Sequence, residues 1–242
     1  MRLSSRAVTL LAAAALPLAL AACSSSESST GTSATTAPAK PQDPNAGLLT
    51  GIQLKQALAP ASYFPSGFAA DPSVARDTGD TYQAPATKNA GTPRCADLGA
   101  TSWISLTGVE GVSFAQNSYV NKDTSAELAQ EIDVYRGTTG ADVMKDVTKV
   151  VAACPSYPDS DTHSTVKVTG APTAGLGDEA YTITLTDSAW ETGTTLIAAR
   201  TGTAVVSVLS TDGADNGAAS AKKLAEHVVT ALKGKSDTSD QG

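Results

Sequence analysis

Residues 181–186 read Tyr-Thr-Ile-Thr-Leu-Thr, the cleanest period-two alternation in the chain. In extended backbone, successive side chains point to opposite faces of a sheet. The run therefore puts Tyr181, Ile183 and Leu185 on one face and three threonines on the other. A strand with one apolar face needs a paired neighbour and an apolar layer against it, which is the setting of antiparallel sheets. This constrains the fold more than any other feature of the sequence.

The neighbouring patterns extend the sheet. Val112–Val120 and Ala129–Arg136 read as two strands joined by the polar turn Asn121–Ser125, with Ile132 and Val134 alternating with acidic neighbours. His163–Val168 carries Val166 and Val168 on one side. Thr194–Arg200 and Ala204–Leu209 read as a hairpin turning at Thr201-Gly202-Thr203. Helical spacing interrupts these runs. Thr139-x-x-Asp142 resembles a capping box opening a helix to Ala153, with Val143, Val147, Val150 and Val151 on one face. Asp215–Leu232 carries a stripe of Ala221, Leu224, Ala225, Val228, Val229 and Leu232, and Gly234 is expected to stop it. Leu48–Leu58 reads as a short helix or turn-rich lead-in. Ala69–Pro93 reads as mostly loop, and Ala96–Leu106 as a short helix with Trp103 pointing inward. The order favours an α+β fold, with a mostly antiparallel sheet and helices packed on one face in a single domain over residues 48–233.

The N-terminus points to a compartment. Arg2 and Arg6 precede an apolar run from Ala7 to Ala22, shorter than the roughly 20 residues of a spanning helix. The run ends Leu20-Ala21-Ala22-Cys23, which resembles the lipobox of bacterial lipoproteins. That resemblance implies a signal peptide over residues 1–22, cleaved before Cys23, and a diacylglycerol (palmitate-type) anchor on the Cys23 thiol. It places the protein at the cell membrane, lipid-anchored on the extracytoplasmic face. Residues 23–47, rich in Ser, Thr, Ala and Pro, then form a disordered tether, and residues 234–242 a disordered tail. Net charge is −7, and removal of residues 1–22 deletes two arginines and no acid. No basic patch for nucleic acid is expected, and adhesion to an anionic bilayer rests on the lipid.

With Cys23 assigned to lipid, two of the three cysteines remain, Cys95 and Cys154. The exported side of the membrane permits disulfides. A redox-active pair would want CxxC spacing, which is absent, so a structural bridge is favoured. Other chemistry is sparse. Of the two histidines, His227 reads as a helix residue. His163 ends Asp159-x-Asp-x-His163, better explained as a polar loop than as a metal site. Gly175-x-Gly177-x-x-Ala180 has the letters of a dinucleotide fingerprint but is followed by the alternating strand instead of a helix. Asp212, Asp215 and Asn216 lack EF-hand spacing and read as turn and cap residues. No metal, cofactor or catalytic motif is expected.

Cys95 shortly before Trp103, Val112-Ser113-Phe114 opening a strand, Tyr135-Arg136-Gly137, and a helix ending near Cys154 form one ordered pattern. Gly175-Leu176-Gly177-Asp178-Glu179-Ala180, Arg200-Thr201-Gly202 and a helix after Asn216 complete it. It resembles actinobacterial lipoproteins carrying a PknH-like extracellular sensor domain. The resemblance implies a compact α+β domain with a cleft for an unidentified ligand, although this chain lacks the cysteines for that family's second disulfide. The expected function is a non-catalytic ligand-binding or sensor domain. Trp103, Tyr119, Tyr135 and Arg200 are the candidate cleft residues, against core packing for the aromatics and an ion pair for Arg200. The partner would be an envelope small molecule or protein. The rival readings are a protein-docking or structural lipoprotein, and a hydrolase with an unrecognised site.

Overall fold

In the computed structural model, residues 42–86 and 92–239 are described. The expected signal peptide, Cys23 and the expected tether up to Pro41 lie outside these residues. The described residues include several ahead of Leu48, the expected start of the domain. Asp43–Leu48 form turns, and Arg136 donates from Nε and Nη2 to Asn45 Oδ1 at 3.0 and 2.7 Å.

Helix α1 (Gly51–Lys55) opens on a complete capping box. The Thr50 side chain accepts from Gln53 N–H, and the Gln53 side chain accepts from Thr50 N–H. Two short strands follow, β1 (Phe68–Ala70) and β2 (Arg76–Asp77), in and beside the stretch Ala69–Pro93 that the sequence suggested was mostly loop. They are too short to show periodicity, and both are held by pairing to β3 (Ser113–Asn121). Between β2 and β3, a 3-10 turn at Cys95–Gly99 and a four-residue helix α2 (Ile104–Thr107) carry Trp103 inward, 1% exposed. Strand β4 (Glu127–Val134) leads to helix α3 (Thr139–Ala153). The expected capping box is not formed. Thr138 is the cap, without a side-chain bond, and Asp142 pairs instead with Lys145 at 3.3 Å.

After β5 (Ser156–Pro158), strand β6 (Thr165–Pro172) starts two residues later than expected, because His163 lies in a turn with φ +56°. Strands β7 (Glu179–Thr186), β8 (Thr194–Thr201) and β9 (Ala204–Ser210) complete the sheet. Thr201 pairs with Ala204, so the hairpin turns on Gly202-Thr203 alone, with Gly202 at φ +59°. Helix α4 (Ala218–Ser239) begins after Asp215, whose Oδ2 accepts from Ala219 N–H at 2.8 Å. Gly234 does not stop it. Its φ is not positive, and a glycine in ordinary helical backbone weakens a helix by about 1 kcal/mol without ending it.

The nine strands form one antiparallel sheet in the order β1-β3-β4-β9-β8-β7-β6-β5, with β2 beside β3. The fold is α+β, but helices pack on both faces of the sheet and not on one. Alternate residues of the central strands serve two separate cores. Ile132, Val134, Ile197, Ala199, Val206 and Val208 meet the α4 stripe, together with α1. Leu196, Ala198, Val205, Leu209 and Tyr135 meet the α3 valines, with Trp103 and Leu106. Helix α4 covers β8, β9 and part of β4, while α3 lies mainly over β6 to β9. On the α3 side, β4 is therefore roofed by the irregular segment between β2 and β3. A disulfide from Cys95 to Cys154 ties that segment to the end of α3 (Cα–Cα 5.5 Å). No helix among the described residues is long and apolar enough to cross a membrane.

Candidate functional site

At β4, beyond the strands that α3 mainly covers, the sheet carries charge instead of hydrocarbon. Glu131 and Asp133 share a face with Ala129 and Tyr135, since residues two apart on a strand point the same way. They are 3% and 8% exposed, and β4 is an interior strand. Above them is a cavity of about 200 Å³. Its floor is Glu131, Asp133 and Tyr135, and its walls are Ser102, Ile104, Val109, Glu110 and Gly111 from the roofing segment. Arg76, Phe114 and Gln116, from β2 and β3, close it at the sheet edge.

The pair's electrostatics follow from burial. Loss of water pushes the Asp133 carboxyl well up, and the Glu131 charge beside it and Glu110 push it further. Burial also raises Glu131, opposed by hydrogen bonds from Thr101, Asp133 and Ser102 and by the Arg76 charge. Thr101 Oγ1 donates to Glu131 Oε2 at 2.8 Å. Burial and the neighbouring carboxyl thus push Asp133 strongly, and burial pushes Glu131, towards the neutral form. Burial first, then the two carboxyls, drives the Tyr135 phenol upward, so Tyr135 remains a neutral donor and acceptor. The site thus offers two buried carboxyls and a phenol beside an apolar wall.

The four expected cleft residues do not converge. Only Tyr135 lines this cavity. Trp103 is packed in the α3 core, its Nε1 buried with no hydrogen-bond partner among the described residues, and its neighbours Ser102 and Ile104 form the wall. Tyr119 lies on the opposite face of the sheet, stacked on Phe64 with ring centroids 3.8 Å apart. Arg200 is held by Glu179 (Nε to Oε1, 2.6 Å) and Asp178 (Nη1 to Oδ2, 3.0 Å). The Gly175–Ala180 stretch serves this ion pair. Gly177, at φ +65°, brings the turn so close that a Cβ there would sit 2.3 Å from the Arg200 carbonyl oxygen. Sequence reading named Ile132 and Val134 for their alternation. The same alternation puts Glu131 and Asp133 on one face, but nothing local to β4 says that this face is roofed.

Two wider grooves meet at Trp190, of about 440 and 880 Å³. Trp190 Nε1–H donates to Asp159 Oδ2 at 3.1 Å. Asp159 also accepts from Asp161 N–H, a backbone bond that lowers its carboxyl, so it acts as an ionised turn residue in water. Asp212 and Asn216 are likewise spent on structure, accepting from Ser220 and from Gly193 N–H. No group of three or more His, Cys, Asp or Glu among the described residues could hold a metal ion. His227 stacks obliquely on Tyr63 with ring centroids 4.5 Å apart. No protein-family model matches the chain, and no curated protein matches it.

Proposed function

We propose that this chain is a lipoprotein anchored at the extracytoplasmic face of the cell membrane through diacylglycerol on Cys23, whose domain is a non-catalytic ligand-binding or sensor module of the PknH-like kind. The β4 cavity is its ligand site. One observation carries the reading: a pair of buried carboxyls on an interior strand, beneath a cavity, in a region where an apolar side chain would be more stable. Charged groups are desolvated at such a place only at a free-energy cost, and convergent polar groups in a pocket with shifted ionisation mark binding sites. The Leu-Ala-Ala-Cys23 ending supports the anchor, and the ordered pattern from Cys95 to the last helix supports the sensor kinship. Among the described residues Ile52 is the only large hydrophobic side chain that is exposed, which gives a docking lipoprotein little apolar surface to use.

The test is a thermal-shift screen of the exported protein against envelope lipids, glycans and peptidoglycan fragments. A shift that is lost when Ser102→Trp fills the cavity supports the reading. No shift across the panel overturns it. For the anchor, Cys23→Ala should release the protein from membranes. Retention after a carbonate wash overturns that part.

A further inference from the structure

We propose that the β4 cavity binds the cationic end of a small organic ligand, an ammonium or amidinium carried on a short apolar body; the inference rests on the reading of this cavity as the ligand site. Size sets the first limit. A cavity of about 150 Å³ takes one benzene ring, so a cavity of about 200 Å³ admits a single ring with a small substituent. Chemistry is divided between its surfaces. Ile104, Val109 and Phe114 offer hydrocarbon, and Glu131 and Asp133 offer acceptors, both more than nine-tenths buried.

The carboxyls are short of donors. Thr101 Oγ1 reaches Glu131, yet no Lys or Arg among the described residues makes an ion pair with either acid. Arg76, the cation of the cavity wall, instead reaches Gln116 Oε1 at 3.5 Å. A buried carboxylate without a cation is under-compensated, and a forked N–H donor is the group that satisfies two neighbouring carboxyls at once. The groups facing the pair are Tyr135 from β4, Glu110 from the roofing segment and Arg76 from β2. An anionic ligand there would face the two acids of the floor, with Arg76 the one cation among the lining residues.

Binding proceeds as an exchange. The ligand's cation takes the place of one carboxyl proton of the Asp133 and Glu131 pair, and that proton leaves to solvent. Only hydrogen bonds change, and the net charge of the filled cavity equals that of the empty one. Affinity therefore rises with pH, up to tenfold per unit while the pair still holds its proton, as linkage requires for one proton released per ligand bound.

The experiment is calorimetric titration of the full-length exported protein in detergent. The probes are benzamidine (cation), benzamide (its neutral isostere) and benzoate (anion), each measured in two buffers of different protonation enthalpy. Benzamidine is expected to bind at least tenfold more tightly than either analogue and to release close to one proton. Asp133→Asn, which keeps shape and removes the exchangeable charge, should weaken benzamidine at least tenfold and abolish proton release, with circular dichroism unchanged. If benzamide or benzoate binds as well as benzamidine and Ser102→Trp blocks them, the cation assignment is overturned and the ligand site stands. If benzamidine binds without proton release, or Asp133→Asn leaves it unchanged, the exchange is overturned. If no probe binds, the assignment is overturned, and the cavity's role is then decided by the envelope panel alone.

Discussion

The two faces of the sheet are built by different means. Against α4, an unbroken apolar stripe meets Ile132, Val134, Val206 and Val208, and the one large polar side chain buried on that face among the described residues, Gln130, is satisfied by the Ala59 backbone and by Asn117. Against α3, the same strands present Leu196, Val205 and Leu209 to a valine helix. The layer then changes character at β4, where two carboxyls lie under a segment with little regular structure. The first face is held by packing. The second needs a covalent tie, Cys95–Cys154, to keep its roof in place. The polar cavity sits where regular structure runs out, which is where local opening is least costly.

The sharpest way to break this comparison is to remove the tie. Replacing both Cys95 and Cys154 by Ser should lower unfolding free energy by up to about 4 kcal/mol for a loop of this length, read by urea titration. Hydrogen exchange should accelerate first in residues 95–111. If the α4 face loses protection at the same rate as the roof, the two faces are one cooperative unit and the contrast fails.

Leu224→Ala tests the other side. Leu224 is 1% exposed in the α4 core, and truncation of such a side chain costs about 3 kcal/mol. The loss should be global, with a lower urea midpoint and no change in what the β4 cavity binds. A change in ligand affinity at unchanged fold would mean that the faces are coupled through β4.

How much of this was legible in the sequence depended on whether one residue's pattern settled its own surroundings. The α4 stripe, the valines of α3 and the run Tyr181–Thr186 carry their periodicity in a single segment, so their buried faces follow directly. Strands β1 and β2 carry no such pattern, because their pairing is imposed by β3. That helices pack on both faces was hidden for a related reason. Strands such as β8 and β9 are apolar almost throughout, and a strand buried on both sides reads the same whichever helix covers which side. Glu131 and Asp133 are the most instructive residues. Acid alternating with Ile132 and Val134 looks like the solvent face of an ordinary strand. Only the tertiary course of residues 95–111 turns it into a cavity floor. The aromatic residues chosen as cleft candidates were, apart from Tyr135, core residues of two different faces.

The acid pair makes the contrast measurable through pH. Both carboxyls are raised in the folded state, so the native protein holds a proton that the unfolded chain releases above about pH 4. The stability this contributes is fully present below the unfolded carboxyl range and is lost as pH rises through the folded value. The slope is about 1.4 kcal/mol per pH unit for one proton. Thermal midpoints of the wild type should therefore fall as pH rises above 4, and Asp133→Asn should flatten that slope. Asp71 and Asp77 are lowered by hydrogen bonds and lose their contribution as pH falls through their own depressed values, below this window. A slope identical in wild type and Asp133→Asn would remove the acid pair as its source.

The smallest expected effect separates a lock from a ligand residue. Arg200 lies on the α3 face, close to Gly140 at the start of α3, and was a candidate residue of the expected cleft. Its side chain is 22% exposed, and its partners Asp178 and Glu179 are 44% and 42% exposed. Ion pairs so open to water are screened and contribute about 1 kcal/mol or less. Asp178 also accepts from Gly202 N–H at 2.8 Å, so the pair joins the Gly175–Ala180 turn to the β8–β9 hairpin. Asp178→Asn should lower the unfolding free energy by at most about 1 kcal/mol and leave benzamidine affinity where it was. Were affinity to fall at unchanged stability, Arg200 would belong to the site, and the boundary between the packed and the polar parts of the α3 face would have to be redrawn beyond β4.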